Sequence, residues 1–218
     1  MEIINLENTP SLLSRYVREL RDVTIQGDSM RFRRNIERIG EIMAYEISKH
    51  MSYREETVQT PLAEKVQNEI DEEIVLATIL RAGLPFHQGF LNYFDRAENA
   101  FVSAYRKYKE KGDKFEVLVE YLASPSIEGK TLIIVDPMLA TGSSMDLGYK
   151  ALLHNGTPKK IHVASVIASR QAIDYVASCF PEDKTMIWSA AIDPEINSHS
   201  YIVPGLGDAG DLAFGEKI

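Results

Sequence analysis

The segment Val135-Asp136-Pro137-Met138-Leu139-Ala140-Thr141-Gly142-Ser143-Ser144 carries residue types suited to holding a sugar phosphate. An apolar strand runs into an acid, then a loop of small residues, then a helix start. Small residues let backbone N–H groups come close to a phosphate. A helix start adds free amides and the positive end of the helix dipole. The hydroxyls of Thr141, Ser143 and Ser144 are further donors, and Asp136 stands at the strand end, where it can hold the hydroxyls of a sugar. The same pattern also describes an ordinary strand-to-helix turn capped by Ser143, and the pattern alone does not separate the two. No G-x-x-x-x-G-K-[ST] string occurs, so a Walker-type nucleotide site is not supported.

Two arginines stand near similar signals. Arg81, in Ile79-Leu80-Arg81-Ala82-Gly83-Leu84-Pro85, follows an apolar run and precedes a glycine turn. Its planar fork suits a phosphate there, though a surface arginine beside a turn has the same local sequence. Arg106 lies in Tyr105–Lys114, a charged stretch whose default reading is a solvated hairpin. Further on, Tyr201-Ile202-Val203-Pro204-Gly205-Leu206-Gly207-Asp208-Ala209-Gly210-Asp211 contains a formal G-x-G-x-x-G. A dinucleotide fingerprint must open a helix inside a βαβ unit, and only seven residues follow Asp211. A glycine-rich loop with few side chains instead suits a small planar ligand read by main-chain groups. A tight turn, or an aspartate pair on a metal, would look alike.

Taken whole, these strings resemble the signatures of the uracil phosphoribosyltransferases, and the likeness runs from Leu20-Arg21-Asp22 to Phe214-Gly215. Related transferases usually have two adjacent acids where this chain has Asp136-Pro137, the variant associated with the uracil branch. The resemblance implies transfer of the phosphoribosyl group of 5-phospho-α-D-ribose 1-diphosphate to uracil, giving UMP and diphosphate in pyrimidine salvage. It implies that Asp136, Pro137, Met138, Leu139, Ala140, Thr141, Gly142, Ser143 and Ser144 cradle the phosphoribosyl moiety, with Asp136 on the ribose hydroxyls. Arg81 and Arg106 would contact diphosphate. Tyr201, Ile202, Gly207, Asp208 and Ala209 would bind uracil, largely through backbone groups, with Asp208 also beside ribose and metal. Arg81, Arg106, Asp136 and Asp208 form the implied catalytic set. Mg²⁺ is the implied cofactor, held mainly by substrate oxygens and water, with no direct protein ligand assigned. Uracil and phosphoribosyl diphosphate are the implied partners, GTP is a candidate allosteric activator, and a homodimer or higher homo-oligomer is expected. A valine at Gly142 is expected to obstruct the phosphate while leaving the fold intact.

The implied fold is the type I phosphoribosyltransferase fold: an α/β architecture with a parallel β-sheet flanked by helices and a small hood or arm. Residues 1–218 are expected to form one domain, with an N-terminal helical segment and a C-terminal uracil-binding hood. The chain departs from the family pattern in three places. Residues 107–114 are lysine-rich where acids and a threonine are usual. Ala168-Ser169-Arg170-Gln171 replaces a proline-containing segment. Glu216 stands where threonine is frequent.

The elements that must position these loops are legible by period and run length. Phe32, Ile36, Ile39, Met43 and Ile47 recur at helical spacing within a predicted helix Arg31–His50, with Asp28 or Ser29 as its cap. Ile74–Leu80 reads as a strand covered on both faces, Thr131–Val135 as another short buried strand, Ile161–Ala168 as a parallel-type strand and Thr185–Ile192 as a last strand. Ala100–Ala104 is a weaker strand candidate, and Phe115–Leu122 alternates like a partly exposed strand. Helices are predicted from Ser143, with Met145, Tyr149, Leu152 and Leu153 on one face and Asn155-Gly156 as the stop, and over Gln171–Cys179. Strand–helix alternation at these spacings means a parallel sheet, whose ligands sit at the carboxyl ends of the strands. Functional residues should therefore follow Leu80, Val135 and Ile192.

Composition narrows the class. With 44% apolar residues among 218, the chain can bury a core. A formal charge of −8 argues against a nucleic-acid partner, and with it against a regulator that binds RNA. The lone Cys179 excludes an intramolecular disulfide and reads as helix packing. Met1–Leu13 lacks the basic and apolar regions of a leader, and no apolar run approaches the roughly 20 residues that span a bilayer. A soluble cytoplasmic protein without a membrane partner is expected. His50, His87, His154, His162 and His199 show no ligand spacing, so no zinc site is read.

Overall fold

The apolar runs become the middle of one sheet. The structure is a computed structural model describing residues 1–108 and 115–216, with side chains described outside 104–119. Its strands are β1 (Glu2–Asn5), β2 (Tyr53–Gln59), β3 (Glu64–Ile70), β4 (Ile74–Leu80), β5 (Glu98–Tyr108), β6 (Phe115–Ala123), β7 (Thr131–Val135), β8 (Met138–Leu139), β9 (Lys160–Ser169), β10 (Thr185–Asp193), β11 (Glu195–Ile196) and β12 (Ile202–Val203). Its helices are α1 (Leu12–Arg21), α2 (Ser29–Ser48), α3 (Gly83–Leu91), α4 (Ser143–Leu152), α5 (Arg170–Cys179) and α6 (Ala209–Phe214). The main sheet has the order β1-β10-β9-β7-β4-β5-β6, with β8 beside β9. Every pairing in it is parallel except β5 with β6.

Successive residues of the buried strands feed opposite layers, as a two-residue period requires. In β7, Ile133 and Val135 pack on the side of α1, α2 and α3, with Phe32, Met43, Phe86 and Phe90. Leu132 and Ile134 face α4 and α5, with Met145, Tyr149, Ile173 and Val176. The result is a sheet with helices on both faces. Asp28 caps α2 by accepting from the Arg31 N–H at 3.1 Å. Leu153 departs from its expected place: α4 ends at Leu152, and Leu153 begins an exposed 3₁₀ turn that closes at Gly156.

The arm of the fold is the antiparallel hairpin β2–β3, exposed along nearly its whole length. Its base is fixed by Glu72, whose side chain is fully buried. Glu72 accepts from the Ser52 N–H at 2.7 Å, from Lys160 Nζ at 2.6 Å and from the Thr131 hydroxyl. Burial alone would push this carboxyl up, but those donors outweigh it and hold it at about 2. No helix among the described residues is long and apolar enough to cross a membrane.

Candidate active site

From β4 the chain passes through α3 to β5 on one side, and from β7 through α4 and α5 to β9 and β10 on the other. The carboxyl ends of β4 and β7 therefore form the switch point of the sheet, where such folds open a crevice. Arg81 follows β4 and Asp136 follows β7, in strands paired with Thr78 opposite Val135. A cis peptide joins Leu80 to Arg81. The predicted glycine turn after Arg81 is the first turn of α3, whose opening amides lack helical partners and so tolerate Pro85. Arg81 Nη2 donates to Asp211 Oδ1 and to the Gly215 carbonyl, both at 3.2 Å. Arg81 Nε is buried with no hydrogen-bond partner among the described residues. Asp136 Oδ1 accepts from the Met138 N–H at 3.1 Å, which folds the loop back over the strand end.

The phosphate-type loop runs from Asp136 to Ser144. Gly142, not Ser143, caps α4, with a left-handed φ of +81°. A Cβ at Gly142 would lie 2.8 Å from Tyr175 Cδ1 and 3.1 Å from Val176 Cγ2, both on α5. The glycine is thus required by backbone conformation and by the approach of α5. This corrects the expectation for a valine at Gly142, whose side chain would be driven into α5. Thr141 Oγ1 lies 3.1 Å from Ser143 Oγ and accepts from the Ser143 N–H at 3.4 Å. Beneath the loop, Ser169 Oγ donates to the Ala140 carbonyl at 2.6 Å and caps α5 by accepting from the Ala172 N–H at 2.9 Å. Tyr175 donates to the buried Asp146 carboxylate at 3.2 Å. Hydrogen bonding with Cys179, then burial and the nearby Asp146, push the Tyr175 phenol up to about 12, so it keeps its proton at neutral pH.

The glycine-rich loop 201–211 follows the last strand of the sheet. The buried carboxylate of Asp193, at the end of β10, accepts from Arg21 at 2.7 and 2.8 Å and from the Gly205 N–H at 2.8 Å. Arg21 also donates to the Gly205 carbonyl at 3.0 Å, and Gln26 Nε2 to the Leu206 carbonyl at 3.1 Å. Gly205 has φ +64°, and a Cβ there would stand 2.0 Å from the Ile202 carbonyl oxygen. Ile202, Leu206 and Ala209 are buried, whereas Tyr201 and Gly207 are exposed. Asp208 caps α6 by accepting from the Asp211 N–H at 3.0 Å. Arg33 Nη1 donates to the Ala213 carbonyl at 2.6 Å and pins the end of α6 to α2.

Two contacts join the loops to one another. The Ala209 N–H donates to Met138 Sδ at 3.2 Å, linking the glycine-rich loop to the phosphate-type loop. The Arg81–Asp211 pair links it to the end of β4. The structure therefore brings together residues that follow β4, β7 and β10. The side chain of Arg106 and the lysine-rich segment 109–114 lie outside the described residues. Sequence reasoning missed Arg21, Asp193 and Ser169 as parts of this region, and gave Asp211, though inside the glycine-rich string, no site role. The available signal for Asp193 was its place directly after Ile192, at a strand end already marked as functional.

The chain is similar to known proteins along nearly its whole length. The family model described as uracil phosphoribosyltransferase matches residues 9–216. A protein of Porphyromonas gingivalis named uracil phosphoribosyltransferase is 66% identical over 218 residues, covering 100% of both chains. The AQ2163 protein of Aquifex aeolicus superposes with a TM-score of 0.85 at 29% identity, covering 99% of each chain. Orotate phosphoribosyltransferase of Mycobacterium tuberculosis, solved with 5-phospho-alpha-D-ribosyl 1-diphosphate, gives a TM-score of 0.51 at 12% identity. It covers 83% of this chain and 88% of its own, a likeness of fold alone.

Proposed function

Because the chain belongs to the uracil phosphoribosyltransferase family, we propose that it transfers the phosphoribosyl group of phosphoribosyl diphosphate to uracil, forming UMP and diphosphate in cytoplasmic pyrimidine salvage. The observation that carries this reading is the meeting of three differently equipped loops at the carboxyl side of one parallel sheet. The loop 136–144 offers hydroxyls and a helix start to the 5′-phosphate, and Asp136 takes the ribose hydroxyls. Arg81 takes diphosphate oxygens, its buried Nε being a donor in want of an acceptor. Arg106 is assigned the same role by resemblance alone. Residues 201–209 form the uracil hood of a single domain. There the Ala209 N–H rests on a thioether, a weak acceptor that a uracil oxygen can replace.

Such a site needs little covalent chemistry from the protein. It must hold the base nitrogen in line with C1 of the ribose, neutralise the departing diphosphate and keep water out. Mg²⁺ bound to the substrate oxygens would add positive charge there. Asp136 and Asp208 supply carboxylate oxygens suited to a hard cation that keeps most of its water and substrate ligands. A homodimer or higher oligomer is part of the proposal. The hairpin β2–β3 exposes Tyr53, Val58, Leu62 and Val66, and two-stranded hairpins are marginal in water unless covered.

The test is diphosphate release from phosphoribosyl diphosphate with each of several bases at equal concentration, with and without GTP. A site built from fixed backbone groups leaves buried polar groups unpaired with cytosine, whose edge reverses the donor pattern of uracil. Two such mismatches at about 1–3 kcal/mol each give a preference of roughly 10²- to 10⁴-fold. Purines lack room beside a close loop, and 5-fluorouracil is accepted because its recognition edge is unchanged. Comparable kcat/KM for cytosine and uracil would sink the backbone-readout model.

A further inference from the structure

Ser169 ends β9 and caps α5, and its side chain is fully buried. It lies in the Ala168–Gln171 stretch that departs from the family pattern. Its hydroxyl is used twice, donating to the Ala140 carbonyl at 2.6 Å and accepting from the Ala172 N–H at 2.9 Å. The peptide that joins Ala140 to Thr141 is trans. In a planar trans peptide the C=O and the following N–H point in opposite directions. Holding the Ala140 carbonyl toward α5 therefore turns the Thr141 N–H away from α5. That is the side away from α5, which closes against Gly142 through Tyr175 and Val176.

We infer that Ser169 is a positioning residue for the phosphate cradle: it locks the Ala140–Thr141 peptide so that an N–H, and not a carbonyl, faces the 5′-phosphate. The inference rests on the proposed function, since it needs a phosphate in that loop. Without the hydroxyl, the Ala140 carbonyl loses its partner and the peptide can rotate. A rotated peptide would present a carbonyl dipole to an anion and repel it.

The experiment measures ribose 5-phosphate binding by calorimetry, with steady-state kinetics on the same preparations. In Ser169→Ala we expect affinity for ribose 5-phosphate to fall about tenfold or more, as for loss of a hydrogen bond to a charged group. KM for phosphoribosyl diphosphate should rise in parallel, with kcat and the KM for uracil within about twofold of the parent. Ser169→Thr keeps the hydroxyl and should restore affinity. Should Ser169→Ala fail to fold, Ser169→Cys carries the test, because a thiol is a weak donor and should show the same loss. Parent-like affinity in a folded alanine or cysteine variant overturns the inference. So does a uniform loss, in which kcat and uracil KM deteriorate alongside phosphoribosyl diphosphate KM, since that marks a merely structural role. If the parent protein neither binds ribose 5-phosphate nor releases diphosphate with uracil, the functional reading itself falls. An active parent with unaffected variants removes only the role of Ser169.

Discussion

Removal of the Asp193 carboxylate tests how the loop 201–211, the proposed base site, is held. Asp193 is buried, and its two oxygens take both terminal nitrogens of Arg21 and the Gly205 N–H. Asp193→Ala leaves the Gly205 N–H without its acceptor and the Arg21 guanidinium with the Gly205 carbonyl as its remaining partner. Breaking a buried pair costs about 3–5 kcal/mol. The Arg21 side chain is 22% exposed, so water recovers part of that cost and about 2–3 kcal/mol is the better expectation. For a chain of this size, 1 kcal/mol moves Tm by about 2–4 °C, which places the loss at roughly 4–12 °C. The functional effect should be selective. Gly205 is tied to the core through Asp193 and Arg21, so loosening it should raise KM for uracil about tenfold and KM for phosphoribosyl diphosphate much less. A double-mutant cycle with Arg21→Ala supplies the check, by thermal denaturation and by uracil kinetics. The double variant should be little worse than Asp193→Ala alone, since the two side chains act as one unit. Additive losses, or an alanine variant with parental uracil KM, would refute the clamp.

Gly142→Val should lower Tm sharply, because the new Cβ is strained at φ +81° and meets Tyr175 and Val176; a Tm equal to the parent's would contradict the packing described. Arg81→Ala should lower kcat/KM for phosphoribosyl diphosphate by roughly 10- to 150-fold, as for one charge-assisted contact, and full activity would remove Arg81 from the site. Stability should fall with acid in two windows, read from urea midpoints. Burial holds His162 at about 4, below its ordinary 6.5, so its contribution is complete above 6.5 and lost as pH falls toward 4. Glu72, held at about 2, contributes above 4.5 and loses that contribution as pH falls toward 2. Each shift corresponds to up to about 3 kcal/mol. Glu72→Gln should flatten the lower window and, by removing a charge that raises His162, somewhat deepen the upper one, and a midpoint constant between 6.5 and 4 would refute the role given to His162.

The legible elements were those whose residues have one job. Ile74–Leu80 and Thr131–Val135 are buried on both faces, so continuous apolar runs declared them. The hairpin β2–β3 gave no such signal, because almost every residue is exposed and no face is patterned. In α3, Gly83, Pro85 and Gly89 lower helix propensity and hid the helix. Gly89 is there because a Cβ would lie 2.1 Å from the Glu37 carbonyl of α2, a tertiary requirement without a local sign. Helix α1 falls in the expected N-terminal helical segment and is locally legible: Leu13, Val17 and Leu20 share a face, and Ser11 caps it. The same distinction holds at the site. Loops rich in glycine and hydroxyls announce themselves locally. The partner of Asp193 is Arg21, 172 residues away, and only the fold brings the two together.

Strong and weak contacts lie on different sides of the proposed base loop. On its core side the loop is held by Asp193 with Arg21, and by Gln26 on the Leu206 carbonyl. On the side facing the other two loops it is held by a thioether and by Arg81 with Asp211. Both members of that ion pair are more than a third exposed, and such pairs contribute about 0–1 kcal/mol. A diphosphate competing for Arg81, or a uracil oxygen competing for the Ala209 N–H, therefore displaces only weak partners. In the proposed binding mode neither substrate competes for the Asp193–Arg21 or Gln26 contacts, which need not break. The loop can keep its backbone geometry while its inward donors change acceptors, which is what recognition of a base by fixed main-chain groups demands.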